Sequence, residues 1–180
     1  MIEKYRKNYE YKDVTDEKGN ASVQLVYTGK YYRNPLTALQ KRELEKKSIL
    51  FSMGCLLMFL IAGICSSGAG RNFWVTIPYV VSFISIAYFI MGSFAIYKMD
   101  ELLEEAQYEK SIGRTARSSI MTGFLSAVTL ICDITFMIAA RNQIQLPGDI
   151  IFLLAEITLF IFAVYYFQSN KEALNSVKAE

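Results

Sequence analysis

Ser118 to Ala140 reads SSIMTGFLSAVTLICDITFMIAA, and the fold turns on how those 23 residues are read. The stretch carries a single charge, Asp133. Crossing a bilayer core as a helix takes about 20 residues. A helix satisfies its own backbone groups in hydrocarbon, where no water can do so. Ser119, Thr122, Ser126, Thr129 and Asp133 recur at spacings of three and four, which places them on one helical face. In lipid, small and weakly polar residues favour faces that meet other helices. The stretch is therefore a membrane span with an inward stripe. Carboxylates are expensive in hydrocarbon, so Asp133 marks a candidate functional site.

Working outward, three more runs have the same character. Ser48–Gly70 and Asn72–Tyr97 carry no charged residue, and Ile150–Gln168 carries only Glu156. The expected spans are about 48–70, 73–97, 118–140 and 149–168. The chain is 53% hydrophobic yet 20% charged, with the charges segregated between the apolar runs, as in a small multi-span protein. The expected fold is an all-α membrane protein, a four-transmembrane-helix bundle over residues 35–180. Span one offers Ser48, Ser52, Cys55, Phe59, Ala62 and Ser66 as its inward face. Span two offers Ser82, Ser85, Phe89 and Gly92.

The basic residues set the threading. Of 19 Lys and Arg, only Arg71 and Arg141 fall in the loops joining spans one to two and three to four. The rest precede span one, separate spans two and three, or follow span four. The positive-inside rule then puts both termini in the cytoplasm, as N-in/C-in. The expected location is the cell membrane, multi-pass. The Lys, Ile, Asn and Tyr usage suggests a low-GC bacterial source. With the first apolar run beginning near residue 48 after a long polar stretch, an uncleaved first span without signal peptide or lipidation is expected.

Residues 1–34 are expected to hold a small cytoplasmic β-hairpin. Tyr9–Val14 alternates, Asp16–Asn20 supplies turn chemistry, and Ala21–Tyr27 puts Val23, Leu25 and Tyr27 on one face. Asn34 and Pro35 are expected to start the first helix as cap and first residue. Helical extensions are expected over 36–47 and 98–112, the second because Met99, Leu102, Leu103 and Ala106 share helical spacing, with Gly113 breaking the helix. Basic 36–47 and acidic 98–112 would form a cytoplasmic stalk. Lys41, Arg42, Lys46 and Lys47, with Tyr31 and Tyr32, are candidate contacts to lipid headgroups or a partner. Acids are nearly as frequent as bases around the tyrosines, so nucleic acid is not an expected partner. The bilayer, a second copy of the chain or another membrane protein is.

Asp133 and Glu156 each lie seven residues from the loop joining spans three and four. That spacing predicts similar depth, roughly 10 Å in from that end. Two acids at one level without a basic partner cannot both stay ionised cheaply, so a shared proton or a bound cation is expected. Thr129, Ser126, Ser82 and Ser85 are candidate oxygen ligands. Histidine is absent, and Cys55, Cys65 and Cys132 form no CxxC pair. With them go the commonest general base, the commonest metal ligand and a redox pair. No nucleotide loop, zinc motif, hydrolase elbow or internal repeat is present, and no cofactor is expected. The expected function is non-enzymatic, an accessory subunit or scaffold working through its cytoplasmic face. The alternative is a small oligomeric proton- or cation-linked transporter or channel using Asp133 and Glu156.

Overall fold

The computed structural model describes residues 8–15, 21–33, 36–65, 68–100, 102–140, 142, 144–176 and 178–179. Four helical segments are long and apolar enough to cross a membrane. These are α1 (Ala38–Cys65), α2 (Phe73–Tyr97), a segment of α3 (Glu105–Tyr108), one π turn (Glu109–Gly113) and α4 (Arg114–Ala139), and finally α5 (Gly148–Ser176). α2 and α5 each pack against both α1 and α4, so α1 and α4 face each other across the bundle diagonal.

The expected stripes turn inward. Ser119, Thr122, Ser126, Thr129 and Asp133 of α4 are all buried, as are Ser48, Ser52, Cys55 and Ala62 of α1. So are Ser82, Ser85, Phe89 and Gly92 of α2. Ser66 lies outside the described residues. Leu57, Leu60, Ile84, Phe94, Ile131 and Leu154 face outward instead. Buried serines tie each neighbouring pair of helices together. Ser93 Oγ donates to Ser48 O at 3.1 Å between α2 and α1. Ser48 Oγ and Tyr166 Oη lie 2.7 Å apart between α1 and α5. Ser85 Oγ and Thr122 Oγ1 lie 2.9 Å apart between α2 and α4. Such bonds are retained in hydrocarbon because the alternative is an unsatisfied polar group.

The hairpin forms as expected, β1 (Tyr9–Thr15) against β2 (Ala21–Tyr27), with Tyr11 opposite Leu25 and Asp13 opposite Val23. Its turn, residues 16–20, lies outside the described residues. A second sheet comes from three distant segments. β3 (Tyr31–Arg33) pairs antiparallel with β4 (Leu102–Glu104) on one side and β5 (Lys178–Ala179) on the other. This sheet lies over the end of the bundle, beside an apolar cluster of Leu44, Ile96, Met99, Leu103, Ile112 and Leu174.

That closure corrects the expected helix over 98–112. α2 stops at Tyr97, and the chain continues as a strand at Leu102. A straight extension would leave Met99 and Leu103 uncovered below the bundle. As a strand, alternation buries Leu103 and exposes Leu102. Gly113 does not break the helix either; it closes the π turn that runs into α4. Within the basic half of the expected stalk, Lys47 pairs with Glu43 and Lys41 with Glu45, both inside α1. The first helix begins at Ala38, behind a capping box in which Gln40 N donates to Thr37 Oγ1 and Thr37 N to Gln40 Oε1. Asn34 and Pro35 lie outside the described residues.

Candidate functional site

Asp133 and Glu156 are both fully buried inside the bundle. They lie between an apolar layer around Val75, Phe136 and Phe152 and another around Ile86, Phe89 and Leu159. Glu156 is the better satisfied. Ser126 Oγ stands 3.1 Å from Glu156 O and 3.2 Å from Glu156 Oε2, which joins α4 to α5. Glu156 Oε1 and both oxygens of Asp133 have no hydrogen-bond partner.

No hydrogen bond joins Asp133 to Glu156. The levels are offset. Glu156 is level with Ser126, and Asp133 lies two turns farther along α4, about 10 Å along the axis. Asp149 sets the height of α5. Its Oδ1 accepts from Gly68 N at 2.9 Å and Ala69 N at 3.0 Å, and its Oδ2 from Gln145 N at 2.7 Å. Asp149 thus ties the start of α5 to the loop that follows α1. Helical side chains tilt toward their own N-terminus, so in these antiparallel helices the two acids lean toward one another across the offset.

Of the expected oxygen ligands, only Ser126 reaches an acid. Thr129 Oγ1 donates back to Leu125 O at 3.0 Å, and Ser82 Oγ to Tyr79 O at 2.6 Å. Ser85 Oγ is held by Ser118 O at 3.0 Å and by Thr122. Among the described residues no group of three or more His, Cys, Asp or Glu is placed to hold a metal ion. Arg141, in the loop joining spans three and four, lies outside the described residues.

The sequence reading missed Tyr79. Its hydroxyl donates to Phe59 O at 2.6 Å, and its ring stacks on Phe59 at 4.4 Å between centroids. A half-buried tyrosine hydroxyl in an apolar run needs a partner, which was the available signal.

At the other end, Lys41 is half-buried and donates to Met99 O, at the carbonyl end of α2, where a cation is favoured. Arg42 and Lys46 are exposed, and half-buried Lys47 pairs with Glu43 at 3.6 Å. Tyr32 stacks flat on Tyr108 at 4.4 Å, while Tyr31 is exposed.

Among the described residues the hairpin is docked at its root. Tyr9 Oη donates to the Glu104 carboxylate, Glu105 N donates to Tyr27 Oη at 3.2 Å, and Asn8 Nδ2 to Glu105 Oε2 at 3.2 Å. Tyr27 is buried there. Farther out on the same face Tyr11, Leu25 and Val23 are 78%, 56% and 66% exposed. No protein family, curated protein or solved structure matches this chain.

Proposed function

We propose that this is a non-enzymatic multi-pass membrane protein that works by association, as an accessory subunit or scaffold. The observation that carries the proposal is the hairpin. One face holds its root to the bundle through Tyr9 and Tyr27, then presents Tyr11, Val23 and Leu25 uncovered. An exposed apolar strand face is a liability unless something covers it. The occupant is a second copy of the chain or another membrane protein, met on the cytoplasmic side of a bacterial cell membrane. Photo-crosslinkers at Tyr11, Val23 or Leu25 should give protein adducts in native membranes, and crosslinkers at Glu10 or Lys12 on the other face should not. Equal adducts from both faces, or adducts to lipid alone, contradict the reading.

The cytoplasmic placement follows from the basic residues at the hairpin end. A fluorescent protein fused after Glu180 should mature, and alkaline phosphatase fused there should stay inactive. The reverse pattern overturns the orientation.

One observation favours a second reading, a proton- or cation-linked transporter or channel. Three carboxyl oxygens, two on Asp133 and one on Glu156, are buried without a hydrogen-bond partner. Native proteins seldom leave such groups unsatisfied without a reason. In that reading, purified protein alone moves protons or cations.

A further inference from the structure

A groove of about 420 Å³ runs between α2 and α4 on the outside of the bundle. That lies within the size range of small-molecule sites. Its apolar wall is Val81, Ile84, Met121 and Leu125, on the part of the helices that reads as membrane-embedded. Its floor, toward the hairpin end, is Lys110, Arg114 and Arg117, with Glu109 the one acid among the lining residues. Hydrocarbon at one end and cations at the other match the two halves of an anionic lipid. Basic pockets between spans recognise anionic headgroups in this way.

The floor is organised in three respects. The Arg114 guanidinium sits 5.6 Å over the Tyr88 ring, which orients it across the groove from α2. Arg117 Nε donates to Gly113 O at 3.0 Å, folding its side chain back along the π turn. A Cβ on Gly113 would meet Arg117 Nη2 at 3.1 Å, so the bare glycine leaves room for that pose. The π turn covers Glu109–Gly113 and so carries Lys110 too. Such turns recur at functional sites because they re-aim side chains.

We propose that this groove holds one anionic phospholipid, its phosphate against Arg114 and Arg117 beside Lys110, and one acyl chain along Val81, Ile84, Met121 and Leu125. The site is separate from the hairpin face and does not depend on what that face binds. It also differs from the basic cluster of α1, where Lys41 caps α2 and Lys47 pairs with Glu43.

The test is native mass spectrometry of the full chain in a neutral maltoside, titrated with phosphatidylglycerol and phosphatidylcholine of matched chains. A phosphatidylglycerol adduct should survive where phosphatidylcholine is stripped. Arg114→Gln with Arg117→Gln should weaken it about tenfold. Gly113→Ala, which keeps every charge, should also weaken it. Arg42→Gln with Lys46→Gln on α1 should leave it unchanged. Should the double arginine variant fail to fold, Met121→Trp, which fills the apolar end, decides by whether it weakens binding. The proposal is overturned if phosphatidylcholine binds as tightly, if the α1 variant weakens binding as much as the groove variant, or if Met121→Trp leaves binding unchanged. It is also overturned if inorganic phosphate displaces phosphatidylglycerol at equal concentration, since the chain would then contribute nothing.

Discussion

Ser126 has one hydroxyl hydrogen and two acceptors within reach on Glu156, its carbonyl at 3.1 Å and Oε2 at 3.2 Å. Both contacts are satisfied together when Glu156 carries a hydrogen. Ser126 then donates to the carbonyl, and Glu156 Oε2 donates to Ser126. In that arrangement Glu156→Gln keeps both bonds, with the amide as donor. Its thermal unfolding in nanodiscs should match wild type, while Ser126→Ala should cost about 1 kcal/mol. A Gln variant less stable than the Ala variant would mean that Glu156 is held as an anion. Outside the membrane, donation to Glu104 pushes the Tyr9 phenol from 10.0 up to about 12, with burial adding to the effect. A raised value makes the root of the hairpin more stable below pH about 10, and that contribution is lost as pH climbs through about 12. Ultraviolet titration of Tyr9→Phe should show one late-titrating phenol fewer than wild type. An unchanged late fraction would refute the Tyr9–Glu104 tie.

The helices were the most legible part of the chain, because the bilayer imposes their length and turns their small residues toward each other. Ser119 through Asp133 could be placed inward from spacing alone. The approach that this permits is close at Gly92, where a Cβ would stand 2.9 Å from the backbone N of Thr115 and 3.1 Å from its Cα. Backbone cannot swing aside as a side-chain tip can, so Gly92→Ala must spread α2 from α4. It should lower stability by about 1–3 kcal/mol in a thermal melt, and a melt unchanged from wild type would show that the two helices are not so near. Residues 98–112 were less legible. Met99, Leu102, Leu103 and Ala106 fit a helix locally, and nothing in that spacing tells which of them finds cover at the bundle end. β3 and β5, with three and two residues, are too short to carry a period at all. The depth of Glu156 was misjudged for a related reason. Counting from the loop assumes that α4 and α5 end level, whereas the Ser126–Glu156 contacts put Glu156 two turns from Asp133 along α4.

For the whole molecule, the polar chemistry divides between two ends and a middle. One end is closed by the Asp149 ties between loops, and the other by the three-stranded sheet beside a partly docked hairpin. In the middle, two acids sit wholly enclosed, one held at a single carboxyl oxygen by a serine and one with no hydrogen bond to either oxygen. A protein that works by association needs the exposed hairpin and leaves the acids shut; a transporter needs the acids to reach water. The measurement that separates these most directly is proton and cation flux into liposomes holding only this protein, under imposed pH and voltage gradients. Association predicts flux no greater than in protein-free liposomes. Flux from wild type that disappears in the double variant Asp133→Asn with Glu156→Gln would contradict it.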